Sequence, residues 1–277
     1  MFRKKGVREL ILKQLSPERP REENLNRLRQ FLQIVLLKIL HESPVGASLA
    51  FTGGTALRLL HGLQRFSEDL DFSLVKPEKY DFAQLATNIE QNFEKLFLPV
   101  DLKKKSEKTV HYLYVRFYEL LYESGLSRQR GEKLPIRIEI DTNPPAGWKT
   151  AVALLSDFYT FPILHFDLSS SFATKLHACL FRRYTKGRDF YDLMWYLGKK
   201  VRPNLRVLNN AVAQTEKKSA ELDGNQLQQV LLKKINRLAF TQLRNDVAPF
   251  LFHAEELSLL DKELMQQVIR SYDFSSE

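Results

Sequence analysis

The 277-residue chain is 44% hydrophobic and 27% charged, which excludes disorder, collagen-like repeats and a disulfide scaffold and leaves one large or two modest globular domains. Its 42 basic against 33 acidic side chains give a net charge of +9, a balance that favours an anionic partner such as nucleic acid, a nucleotide or a membrane surface. The lone cysteine, Cys179, reads as a small core side chain, and with no secretory pattern and no apolar run near a membrane-spanning length the expectation is a cytoplasmic protein without a membrane segment.

In chain order, Asn24 precedes Leu25, Leu28, Phe31, Leu32, Val35, Leu36, Ile39 and Leu40 at helical spacing, with Glu22 and Glu23 where the helix dipole favours acids. This predicts an amphipathic helix ended by Ser43-Pro44-Val45-Gly46. Ser48 to Thr52 reads as a short buried strand before Gly53-Gly54, and a helix from Thr55 to Gly62 follows. Asp69 to Leu74 alternates, with Asp69, Asp71 and Ser73 on one face and Leu70, Phe72 and Leu74 on the other. Asp81 caps a helix carrying Phe82, Leu85, Ile89, Phe93 and Leu96, and Val110 to Phe117 is a strand rich in aromatic and β-branched residues. Ile136, Ile138 and Ile140 alternate with Arg137, Glu139 and Asp141, which lie on the polar face, and Asn143-Pro144-Pro145 stops that strand. Past about Pro162 helical periods dominate, so a boundary is expected near residue 165, dividing an α/β domain over 1–165 from a helical domain over 166–277. In the latter, Ser169 to Ser171 cap a helix containing Phe172, Leu176, Cys179 and Leu180. Thr185-Lys186-Gly187 breaks the chain before a helix near Arg188, and further helices are expected at Arg202–Ala220, Asn225–Phe240 and Ala254–Arg270.

The most specific feature is Gly53-Gly54-Thr55-Ala56-Leu57 followed by Arg65-Phe66-Ser67-Glu68-Asp69-Leu70-Asp71-Phe72. A glycine-led turn that opens a helix offers bare backbone N–H groups and the positive helix end, which suit a phosphate. Asp69 and Asp71, projecting from one strand face, supply hard oxygen ligands for a divalent cation, and a carboxylate from a neighbouring strand would complete a two-metal site for phosphoryl-type displacement. Glu139 and Asp141 are the two choices for that third ligand, and Glu139 is favoured. Each feature alone has an ordinary reading, a turn or a solvated face, and their joint occurrence carries the argument. Arg65 and Ser67 sit where they could hydrogen-bond phosphate oxygens, whereas Arg58 could equally point to solvent. His61, His111, His165, His177 and His253 lack metal-ligand spacing.

With these residues in place, GGTAL followed by RFSEDLDF resembles the AbiEii-type nucleotidyltransferases, toxins of type IV toxin–antitoxin systems that include the MenT-like enzymes. The family's later signature resembles Lys175 followed by Arg188-Asp189-Phe190-Tyr191-Asp192-Leu193, so the likeness spans about Leu49 to Leu197. The resemblance implies an α+β fold: a DNA polymerase β-like nucleotidyltransferase core, a mixed sheet with flanking helices, followed by an α-helical C-terminal lobe and a cleft between them. It implies that Gly53, Gly54 and Thr55 hold the phosphates of an NTP, that Asp69 and Asp71 bind Mg²⁺, or Mn²⁺ in its place, and that Lys175 contacts the triphosphate. Asp189 would orient Lys175 or assist the incoming hydroxyl, and Asp192 would be structural. The implied acceptor is RNA, commonly the 3′ end of tRNA, and the implied partner a cognate antitoxin.

Basic clusters at Lys103-Lys104-Lys105, Arg128 to Lys133, Arg182 to Arg188 and Lys199 to Arg202 could track a polyanion or form a solvated face. Phe181, Tyr184, Phe190 and Tyr191 could stack a base or belong to the core. Two other readings stay open: the same core acting on a protein or small molecule, and a non-catalytic module that binds nucleic acid or an antitoxin.

Overall fold

In the computed structural model, which describes residues 4–216 and 221–275, the chain forms two units. The first comprises Met1–Gly62, Phe66–Asn143 and Val152–His165, and the second Leu63–Arg65, Pro144–Ala151 and Phe166–Glu277.

The first unit opens with α1 (Lys4–Lys13) and α2 (Arg21–Glu42). α2 starts a turn earlier than its apolar pattern indicates: Pro20 presets φ at −53°, and Asn24, inside the first turn, exchanges hydrogen bonds with the Ser16 backbone. It is also less amphipathic than expected, since Ile34 and Leu37 are buried along with Leu28, Phe31, Leu32, Val35 and Leu36. A helix buried nearly all round belongs inside a core. Then come β1 (Leu49–Thr52), buried throughout, α3 (Gly53–His61), β2 (Leu70–Leu74) and α4 (Phe82–Lys95). The Asp81 carboxylate caps α4 as predicted, accepting from the Ala83 and Gln84 N–H groups at 2.8 and 2.9 Å. β3 (Val100–Glu107), β4 (Val110–Phe117), α5 (Leu120–Glu123), β5 (Leu134–Asp141), β6 (Thr150–Ser156) and β7 (Thr160–Phe166) follow.

The sheet is mixed, in the order β3-β4-β5-β2-β1-β7-β6. β2 runs antiparallel to β1 and parallel to β5, and Asp71 lies beside Thr52 on one side and Glu139 on the other. The Ile136, Ile138 and Ile140 side chains are fully buried, so the opposite face of β5 carries Arg137, Glu139 and Asp141, as the alternation requires. β3, β6 and β7 are strands not expected from the sequence, although β7 alternates, with Phe161, Ile163 and His165 buried. β3 and β6 are the sheet's two edges and mostly exposed, so their residues, among them Lys103, Lys104 and Lys105, show no buried apolar alternation.

The second unit is helical: α6 (Leu168–Phe181), α7 (Gly187–Gly198), α8 (Leu205–Glu216), α9 (Gly224–Ile235), α10 (Phe240–Val247) and α11 (Lys262–Ser271). Its boundaries depart from the expected ones where side chains not anticipated as caps meet the first N–H groups. Asp167, rather than Ser169 to Ser171, caps α6, accepting from the Ser170 N–H at 2.8 Å. α8 begins at Leu205 rather than Arg202, after Pro203, with the Asn204 side chain accepting from the Val207 N–H; positions 217–220 of the expected helix lie outside the described residues. Asp223 and Gln226 form a capping box for α9, which ends at Ile235, and α10 is separate. Asp261 caps α11, so the helix expected from Ala254 is a 3₁₀ turn (Ala254–Leu259) followed by α11. α6 packs on α7 and α8, and α7 on α10. Gly187 permits the last contact, because a Cβ there would lie 2.3 Å from the Leu243 carbonyl oxygen.

Candidate active site

The glycine turn and the acid strand meet in the first unit. Gly53 has φ +75°, a conformation disfavoured for side-chain-bearing residues, and a Cβ on it would lie 2.1 Å from Asp71 Oδ2. The Asp71 carboxylate therefore rests against the turn that starts α3. The side chain of the N-cap residue, Thr52, makes no cap bond to that helix, and the first N–H groups of such a helix start, at Gly53, Gly54 and Thr55, suit an anion. Thr55 is buried and its hydroxyl donates to the Asp69 carbonyl oxygen. The side chain thus braces α3 against the start of β2 and is not directed outward from the turn. Ser67 is held by its carbonyl, which accepts from the Gln33 amide at 3.2 Å. Arg58 donates to Gln30 at 3.2 Å and packs over the Phe66 ring.

Arg137, on the same face, was not singled out in the sequence. Its Nη2 lies 2.6 Å from Asp69 Oδ2 and 3.3 Å from Glu139 Oε2. Burial lowers the guanidinium's pKa, but the charges of Asp69 and Glu139 outweigh it and raise it above its ordinary value. Asp141, two pairs further along beside Ser73, has its carboxyl raised by burial, against a hydrogen bond from the Asn143 N–H. Only knowledge of the β2–β5 register could have paired Arg137 with Asp69.

Among the described residues no three His, Cys, Asp or Glu side chains converge as a formed metal-binding group. Asp69, Asp71 and Glu139 are thus not gathered round one point as expected, because Arg137 draws Asp69 and Glu139 onto its guanidinium. The donor chemistry nevertheless fits a hard divalent cation: Asp71 on β2, Asp69 immediately before that strand and Glu139 on β5 one strand spacing of about 4.8 Å away, already attracting a cation of lower charge.

The second unit holds a separate charge network. Arg65 donates to both Asp192 oxygens at 2.7 and 2.6 Å, with 3% and 0% of the two side chains exposed. Arg65, which the sequence placed where it could hydrogen-bond phosphate oxygens, is paired here with a carboxylate. Lys175 Nζ lies 2.8 Å from Asp189 Oδ1 and 2.8 Å from Asp192 Oδ2, and Arg182 also pairs with Asp189. Burial lowers the lysine's pKa, but Asp189 and Asp192 raise it overall. An ammonium carries three donors, and two are directed at these carboxylates. Phe190 and Tyr191 are core side chains, whereas Tyr184 is exposed beside Arg182 and Lys186. Cys179 is buried as expected.

No described helix is long and apolar enough to cross a membrane. Two solved structures from Helicobacter pylori are similar to the chain at 20% identity. JHP933 covers 87% of this chain and 90% of its own, with a TM-score of 0.46. A provisionally assigned nucleotidyltransferase covers 92% and 96%, with a TM-score of 0.45. No curated protein matches. The family model described as nucleotidyl transferase AbiEii toxin, type IV TA system, matches residues 35–265, a span that takes in the glycine turn, both acid strands and the Lys175 network. The chain therefore belongs to the AbiEii nucleotidyl transferase toxin family of type IV toxin–antitoxin systems.

Proposed function

We propose that the protein transfers a nucleotide from an NTP to an RNA acceptor, the 3′ end of tRNA, on a DNA polymerase β-like core. The observation that carries this reading is the Asp71 carboxylate resting against Gly53 at a helix start whose N-cap side chain, that of Thr52, makes no cap bond. That juxtaposition puts an anion-binding turn beside a cation-binding acid, the pair of functions that a metal-bound triphosphate needs.

The turn's N–H groups at Gly53, Gly54 and Thr55 hold the triphosphate. Asp69 and Asp71, with Glu139 from the next strand, hold Mg²⁺ or Mn²⁺, which supplies charge neutralisation at the phosphates. The acceptor hydroxyl oxygen bonds to the α-phosphorus, the bond from that phosphorus to the α–β bridging oxygen breaks, and pyrophosphate leaves. The hydroxyl proton passes to a carboxylate or to water. Lys175 keeps the role of neutralising phosphate charge with the donor not directed at Asp189 and Asp192, and Asp189 keeps that of orienting it. A cognate antitoxin is the partner that family membership implies.

The test is incubation of the protein with Mg²⁺, each α-labelled NTP and total RNA, beside Asp69→Ala. Label on a tRNA-sized band that needs Asp69 is the expected result. Label on protein or a small molecule instead gives the acceptor as one of those, and nucleotide or RNA binding without any transfer makes the chain a binding module.

A further inference from the structure

The register of the first unit's sheet lines up side chains across four strands. Asp71 on β2, Glu139 on β5, Tyr112 on β4 and Lys105 on β3 share one row and one face. The adjacent row runs Arg137, Tyr114 and Lys103, with Asp69 joined to Arg137 at its inner end. Both rows start at a carboxylate and run through an aromatic ring to an ammonium, the second with the Arg137 guanidinium between Asp69 and Tyr114. At about 4.8 Å per strand the three steps span about 14 Å, the length of about four stacked nucleotides at about 3.4 Å each.

We infer that this strip holds the single-stranded end of the acceptor RNA, with bases stacked on Tyr112 and Tyr114 and phosphates on Lys103 and Lys105. The inference rests on the RNA-transfer reading above and adds to it where the acceptor strand lies. Every base has a π-face and every linkage a negative charge, so aromatic rings bordered by cations bind a single strand whatever its sequence. Tyr112 and Tyr114 are partly buried and rise from a strand with neighbours on both sides, so their rings are held in place before a base arrives. Arg137 lies 5.8 Å from the Tyr112 ring centroid, which ties the ring to the acid end of the row. The lysines stand exposed on the edge strand, Lys105 paired with Glu107 on the same strand. Further along this face Arg116 and Lys133 share one carboxylate, that of Asp101, so the basic border continues. Lysines on an edge strand also discourage edge-to-edge pairing, but that duty needs no tyrosines behind them. Binding in this direction brings the strand's terminal hydroxyl to Asp69 and Asp71.

The experiment measures fluorescence anisotropy of a dye-labelled single-stranded RNA oligonucleotide with a free 3′ hydroxyl, titrated with the full-length protein at several salt concentrations. Binding of Mg²⁺–NTP by each variant is followed in parallel. Tyr112→Ala with Tyr114→Ala is expected to weaken RNA binding by about thirtyfold or more, with NTP binding retained, while Tyr112→Phe with Tyr114→Phe binds as the parent does. Lys103→Ala with Lys105→Ala should reduce the slope of log K against log salt by about 1.4. RNA bound by the parent and equally by the alanine variants overturns the strip and leaves RNA transfer standing. A parent that binds no RNA, or labels only protein, overturns both. Should the tyrosine variant fail to fold, the exposed lysine pair decides the matter, since an unchanged salt slope overturns the inference.

Discussion

Asp69, Glu139 and Arg137 on the sheet of the first unit keep 34%, 33% and 31% of their side chains exposed, whereas Arg65, Asp192, Asp189 and Lys175 in the second keep 3%, 0%, 7% and 13%. Both groups are networks of arginine or lysine with aspartate or glutamate. Water separates their physics. An ion pair a third exposed contributes about 1 kcal/mol or less, so the acids of the sheet can exchange a guanidinium for another cation at little cost. A buried network has no such freedom, because removing one member strands a charge in a poorly polarisable interior. Exchangeable charge suits a site through which cations and phosphates pass, and fixed charge suits holding one lysine in one orientation.

The largest effect is expected at the exchangeable acids. Asp69→Ala or Asp71→Ala should lower nucleotide transfer by about a thousandfold or more, the scale of several kcal/mol of charge stabilisation, while circular dichroism and unfolding curves stay close to the parent's. An equal loss of stability would mean that these acids, too, are structural. In the fixed network the order reverses: Asp192→Ala should cost about 3–5 kcal/mol of folding stability, read by urea unfolding. Burial raises the Asp192 carboxyl, but Arg65 and Lys175 outweigh it and hold it below the usual range. With its folded pKa below the unfolded value of about 3.9, its contribution is complete above that value and fades as pH falls through the depressed one. Lys175, raised by Asp189 and Asp192 against burial, contributes fully below about 10.4 and loses that contribution only as pH rises through its elevated value. Unfolding measured against pH should therefore show an acid limb that becomes shallower in Asp192→Asn.

Next comes Gly53→Ala. A left-handed backbone costs a side-chain-bearing residue about 1–2 kcal/mol, and the new Cβ must also displace Asp71. Stability should fall by about that amount and transfer by about tenfold, measured by thermal unfolding and label incorporation. Normal transfer would show that Asp71 need not rest against the turn. Arg137→Met should have the smallest effect on stability, about 1 kcal/mol or less. It should tighten Mn²⁺ binding, measured by electron paramagnetic resonance, because the resident cation is gone. Weaker Mn²⁺ binding would mean that Arg137 holds the acids in place for the metal.

Much of the first unit was legible because its signals are local. Alternation in Leu70-Asp71-Phe72 and in Ile136 to Asp141 reflects a strand buried on one face, and β2 and β5 are central in the sheet. β3 and β6 sit at the edges, where exposure removes the apolar pattern that would have announced them. The helical unit was legible as helices but not in its limits, since Asp167 rather than Ser169 to Ser171 caps α6, and Asp223 and Asp261 start α9 and α11 at positions that the apolar repeat does not mark.

By itself, the amino-acid order determined the glycine turn, the two acid strands and which of their residues share a face. These follow from backbone freedom at glycine and from the two-residue repeat of a strand, both properties of neighbours in the chain. Only the tertiary structure decided that Arg137 stands between Asp69 and Glu139, that Thr55 spends its hydroxyl on the Asp69 carbonyl, and that Arg65 belongs to Asp192, 127 positions away. Charge pairing is set by strand register and by exclusion of water, which arise from packing distant segments together and leave no repeat in the sequence.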